Sequence, residues 1–225
     1  MASKKPNKEK LFPSDFWNRT EPSIIGDSDP NDTFAAVGRA LTSWEMIEEE
    51  LASLCVIFSG LAEDANNNKA ISRLFGAIDS SGSRRNALRE AGEVYFWHHD
   101  KDNVMMNKLE DLLENVSNAS RRRDDIAHGV VAGFTTAKKD IGCLLIPSRY
   151  KSDRNKAFVP PVSKIYIDDT EFPFNTLPGN YRYNMSDINN ISNRFYLLSQ
   201  AILNFIGEVV TWKEKASSAT NPPVD

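Results

Sequence analysis

Apolar side chains recur at steps of three and four over most of this chain, and that spacing commits it to helices. The longest such run joins Phe34, Val37, Leu41, Trp44, Ile47, Leu51, Leu54 and Phe58, with Glu45, Glu48, Glu49 and Glu50 on the opposite face. Asn31 or Asp32 offers its N-cap, and Gly60 lies near its end. A second stripe carries Ile71, Leu74, Phe75 and Ile78 between Asn68 and Ile78. Ser80-Ser81-Gly82 interrupts the pattern before a third, through Leu88, Ala91, Val94, Tyr95 and Phe96. The fourth begins near Asn103 and holds Met105, Leu109, Leu112, Leu113, Val116, Ala119, Ile126 and Ala127. Gly129 is expected to stop it as a left-handed residue just past the last turn. Ser186 is expected to cap the fifth, which carries Ile188, Ile191, Phe195, Leu198, Ile202, Phe205, Ile206 and Val209.

Between the fourth and fifth patterns the texture changes. Gly142-Cys143-Leu144-Leu145-Ile146 and Ser163-Lys164-Ile165-Tyr166-Ile167 are short β-branched and apolar runs bounded by turn formers. They predict an antiparallel hairpin inserted over about 141–168, with a charged tip from Arg149 to Lys156. Residues 1–30 lack any sustained period and hold four prolines, so they read as an irregular arm. Phe12, Phe16, Trp17, Ile24 and Ile25 give that arm enough apolar surface to dock on the core. Residues 213–225 are Ser-, Ala- and Pro-rich and predict a disordered tail. The expected fold is therefore mostly α: a single bundle of about five helices over 31–212, with a small β-hairpin before the last helix.

A chain of 225 residues with 40% hydrophobic and 26% charged residues has the composition of a globular domain. Its net charge of -4 excludes global attraction to nucleic acid, so any such binding must come from a local cationic patch. Cys55 and Cys143 each sit among apolar neighbours and predict neither a disulfide framework nor a metal site. With no apolar segment behind the basic N-terminus and no run of 18 apolar residues, the expectation is a cytoplasmic protein without signal peptide or membrane span. P-loop, dinucleotide and nucleophile-elbow signatures are absent, and no cofactor or metal is expected.

One segment concentrates chemistry: Arg121-Arg122-Arg123-Asp124-Asp125-Ile126-Ala127-His128-Gly129. His128 can exchange a proton near neutral pH, and an arginine fork can bind a phosphate. Asp124, one turn earlier on the same helix face, can orient the imidazole and raise its pKa. The bland alternative is i,i+4 ion pairing on a solvated face, with His128 as a helix end. Elsewhere, His98-His99-Asp100 resembles a ligand set but has poor geometry for one and reads as a polar turn. Arg84, Arg85 and Arg89 form a second cationic cluster able to track a nucleic-acid backbone. Lys164 and Arg182 with Tyr166, Tyr181 and Tyr183 could add stacking and phosphate contacts.

The run Arg123-Asp124-Asp125-Ile126-Ala127-His128 resembles the R-x4-6-H signature of the HEPN superfamily, and the helix order over roughly 33–212 is similar to that family as well. The β-hairpin is an elaboration that the minimal family pattern does not need. The resemblance implies metal-independent RNA cleavage, in which a ribose 2′-hydroxyl attacks its own phosphodiester and leaves a 2′,3′-cyclic phosphate. On that reading His128 is the acid/base, Arg123 the phosphate binder and Asp124 its support, with Arg121, Arg122, Arg84 and Arg85 as substrate-binding candidates. Arg121 and Arg122 also satisfy the spacing; Arg123 is preferred because Asp124 follows it. Arg123 and His128 point about 140° apart on an ideal helix, so a homodimer packed through the motif helices would be needed to bring such pairs into one cleft. The expected partners are RNA, a second copy of the chain and an antitoxin or other regulator, as for a toxin or defence effector. The rival expectation is a non-catalytic HEPN-like interaction or nucleotide-binding module.

Overall fold

In the computed structural model the described residues are 10–21, 23, 25–61, 64–97, 100, 102–136, 139–147 and 182–220. They form five helices, α1 (Pro30–Phe58), α2 (Ala65–Gly76), α3 (Ser81–Phe96), α4 (Val104–Ala127) and α5 (Met185–Thr220). A two-stranded antiparallel hairpin, β1 (Val130–Thr136) and β2 (Lys139–Ile146), separates α4 from α5. The mostly helical class with one hairpin before the last helix is as the sequence predicts.

Several local expectations are corrected. α1 is capped by Asp29, whose carboxylate accepts the Asn31 amide at 2.8 Å, and Pro30 occupies the first helical position, where its missing N–H costs nothing. At the start of α1 the buried stripe is Thr33, Ala36 and Ala40, while Phe34 is 57% exposed. The two registers converge at Trp44; the inner face starts with small residues, and the larger apolar side chains lie one position along. α5 is capped by Asn184, whose side chain accepts the Asp187 amide at 3.0 Å while Asp187 accepts the Asn184 amide at 3.1 Å. This reciprocal pair replaces Ser186 as the start signal. The helix continues to Thr220 rather than stopping near 212, because no proline or glycine follows Gly207 before Pro222.

The hairpin also differs in its pairing. β2 pairs with Val130–Thr136; the expected partner Ser163–Ile167 lies outside the described residues along with the expected tip. Only Ala137 and Lys138 separate the two strands in sequence, and a two-residue connection closes a hairpin at far smaller entropic cost than a long charged loop. The other edge of β2 is bridged by Asp27 and Tyr183. Here the backbones approach so closely that a Cβ on Gly142 (φ +91) would lie 2.5 Å from the Asp27 carbonyl oxygen.

The chain divides into two compact units, each described here by itself. The first comprises Met1–Trp17, Glu48–Asn118 and Leu198–Asp225. Phe58, Phe96 and Trp212 make edge-on ring contacts in it, and the buried Trp17 indole of the arm donates to Asn115 at 2.9 Å. The second comprises Asn18–Ile47 and Ala119–Leu197. Trp44 packs edge-on against Phe195 there, and Ala132, Phe134, Leu144 and Ile146 form the hairpin's apolar cluster. By length and composition Met185–Lys215 could cross a membrane, with a mean hydropathy of 1.2; its Ile188, Ile191, Phe195, Leu198, Ile202, Phe205 and Val209 are buried in the fold.

Candidate functional site

The last two turns of α4 sort five consecutive charged residues by direction. At about 100° per residue, the buried stripe of Val116 and Ala119 continues onto Arg122, Asp125 and Ile126, all three buried. Arg121 and His128 are exposed, and Arg123 and Asp124 are half-buried.

Asp125 is the hub of the inner side. One of its oxygens accepts the Arg19 Nη2 at 2.6 Å and the other accepts the Arg19 Nε at 2.9 Å, a bidentate fork that ties the N-terminal segment to α4. The Tyr183 hydroxyl donates to the same carboxylate at 3.1 Å, and Arg122 Nη1 lies 3.2 Å away. Two guanidiniums and a phenol therefore surround one buried carboxylate. Burial, reinforced by the Asp125 charge and hydrogen bond, pushes the Tyr183 phenol well above its ordinary value of 10.0, although Arg122 and Arg19 oppose this. The neighbouring Arg182 is also buried, and loss of hydration lowers its pKa.

On the outer side Arg123 Nη1 reaches the Asp124 carboxylate at 3.2 Å. The expected Asp124–His128 contact is not formed; among the described residues no partner holds the imidazole. The His128 amide still donates to the Asp124 carbonyl at 3.2 Å, so helical geometry persists to this residue. Gly129 then turns the chain into β1 without adopting positive φ, contrary to expectation. It is required for space, since a Cβ there would meet Leu145 Cδ1 at 2.7 Å and the Asp125 carbonyl oxygen at 2.9 Å. His128 thus stands on a turn fixed from both sides.

The second arginine cluster belongs to the first unit. Arg84 donates to Glu48 at 2.8 Å and to the carbonyls of Ile78 and Gly76, and lies over the Phe75 ring. Arg89 forms a fork on Glu110 at 2.6 and 3.3 Å, which raises its pKa. Arg85 bonds the Ser81 hydroxyl at 2.9 Å and, with Arg89, Lys10, Glu110 and Glu114, lines a cleft of about 460 Å³ of mixed charge. Asp100 caps α4 by accepting the Val104 and Met106 amides at 2.8 and 2.9 Å; His98 and His99 lie outside the described residues. So do Lys164, Tyr166 and Tyr181. Among the described residues no group of three or more His, Cys, Asp or Glu side chains could hold a metal ion.

Sequence reasoning missed Arg19, Asp125 and Tyr183 as a unit. One signal was present: the apolar steps Val116, Ala119 and Ile126 pass through Arg122, a charged residue at a core position that demands a buried counter-ion. Nothing local pointed to Arg19, 106 residues away from its partner, or to Tyr183, 58 residues away. No family model, curated protein or solved structure matches this chain.

Proposed function

We propose that this chain is a metal-independent endoribonuclease of HEPN type, acting as a homodimer through α4 as a toxin or defence effector. The observation that carries the reading is the exposed His128 at the end of α4, between the buried Asp125 cluster and the closely packed Gly129, with cationic side chains on the helix that leads into it. An accessible imidazole on a rigid support is what general acid–base chemistry needs.

In the proposed reaction the 2′-oxygen forms a bond to phosphorus and the P–O5′ bond breaks. One imidazole takes the 2′-hydroxyl proton and another gives a proton to the departing 5′-oxygen. Two copies of the chain supply two His128 residues, which is why a symmetric dimer suits the chemistry better than one protomer. Among Arg121, Arg122 and Arg123, it is Arg123 that stabilises the charge gathering on the phosphorane oxygens. Of these three, Arg122 is spent on the buried Asp125.

The test is cleavage of a mixed RNA pool in EDTA by the parent protein and by His128→Ala, with chemical identification of the ends. Cyclic phosphates produced by the parent alone support the reading. Inactivity of both, with RNA bound by both, favours a non-catalytic binding module.

A further inference from the structure

Three neighbouring arginines offer themselves to a phosphate, and the fold treats each differently. Arg122 is 8% exposed and paired with Asp125. Arg123 is half-buried, with Nη1 on Asp124. Arg121 alone of the three is exposed, and no described side chain pairs with it. It also precedes His128 by seven residues, so on a helix of about 100° per residue the two point within about 20° of one another. The helix persists to His128 through its amide bond to Asp124, which keeps this alignment.

The two side chains share a face but not a point. Seven residues span about 10 Å along the axis, and long helical side chains lean toward the N-terminus, so the Arg121 guanidinium swings away from the imidazole. Asp124 lies between them, and its charge is offset by Arg123. Arg121, Asp124 and His128 therefore follow one another along one side of the helix, with Arg123 reaching Asp124 from the flank, an arrangement suited to an extended polyanion and not to one isolated phosphate.

We propose that Arg121 grips a phosphate flanking the scissile one, so that the substrate is an RNA segment with at least two phosphodiesters. Arg123, which also offsets the charge of Asp124, is left to the scissile phosphate itself. The assignment rests on the nuclease reading above for its catalytic half, while its binding half stands without it.

Two measurements on the full-length chain decide it. In the first, binding of a fluorescent 2′-O-methyl hexanucleotide, which cannot be cleaved, is followed by anisotropy across a salt series. Arg121→Ala should weaken binding about tenfold and reduce the slope of log K against log salt by about one phosphate contact, with Arg121→Lys restoring most of both. Unchanged affinity and slope in Arg121→Ala would overturn the proposal. In the second, cleavage of a hexanucleotide is compared with cleavage of a dinucleoside monophosphate, which has one phosphodiester. Arg121→Ala should raise KM for the hexanucleotide about tenfold and leave the dinucleotide untouched, whereas His128→Ala abolishes both. Equal losses on the two substrates would place Arg121 on the scissile phosphate and overturn the flanking assignment while leaving the nuclease reading intact. A parent that cleaves neither substrate overturns the nuclease reading, and the anisotropy result then decides the binding half alone.

Discussion

The two sides of the last turns of α4 are built from the same residue types and are used in opposite ways. Inside, Arg122 and Asp125 join Arg19 and Tyr183 in a buried ionic cluster; outside, Arg121, Asp124 and His128 face solvent. The 100° step of a helix is enough to divide one charged run in this way. The contrast teaches that charge in a sequence motif does not by itself mark chemistry: half of this motif holds the other half in place.

The largest expected effect lies on the inner side. Asp125→Ala removes the common acceptor and leaves the buried Arg122 and the half-buried Arg19 without their carboxylate, so it should cost about 3 kcal/mol in urea unfolding. A loss below about 1 kcal/mol would show that water solvates the cluster and would erase the difference between the two sides. Gly129→Ala comes next, at about 1–3 kcal/mol, because Leu145 and the Asp125 carbonyl leave no room for a methyl group. Wild-type stability in that variant would mean the turn yields and does not fix His128.

Tyr183→Phe should cost about 1 kcal/mol at neutral pH, through loss of one hydrogen bond to a buried carboxylate. Its pH dependence sharpens the point. The folded-state pKa of Tyr183 lies above the ordinary value, so its contribution is fully present below pH 10 and is lost as pH rises further, since the unfolded chain ionises first. Thermal unfolding between pH 9 and pH 11 should therefore fall less steeply in Tyr183→Phe than in the parent. Identical slopes would place the phenol in water. The smallest effects belong outside: His128→Ala and Arg121→Ala should each change stability by less than about 0.5 kcal/mol.

What could be read from the sequence follows from what is local. The α5 stripe from Ile188 to Val209 is buried as the spacing predicts, because large apolar residues mark the inner face at every turn. In α1 the inner face opens with Thr33, Ala36 and Ala40, and small residues beside Phe34 concealed it. β1 is hard to read locally because Val130–Thr136 directly follows the charged motif and holds two threonines and a glycine, whereas the run at 163–167 has the stronger strand pattern. The exposed His128 and Arg121 were legible as residues with no place in the apolar pattern. Arg19 and Tyr183 were not, since only the folded chain brings either to Asp125. The space demands at Gly129 and Gly142 likewise come from Leu145 and Asp27, which no local pattern connects to them.

The most direct test of the central claim combines the two sides in one assay: RNA cleavage in EDTA by the parent, by His128→Ala and by Tyr183→Phe, each first shown to be folded. Cyclic-phosphate ends are expected from the parent, with a loss of about 10²-fold or more in His128→Ala at unchanged stability, and retained cleavage in Tyr183→Phe under conditions where it remains folded. Undiminished cleavage by folded His128→Ala would contradict the claim, as would a parent that leaves RNA intact.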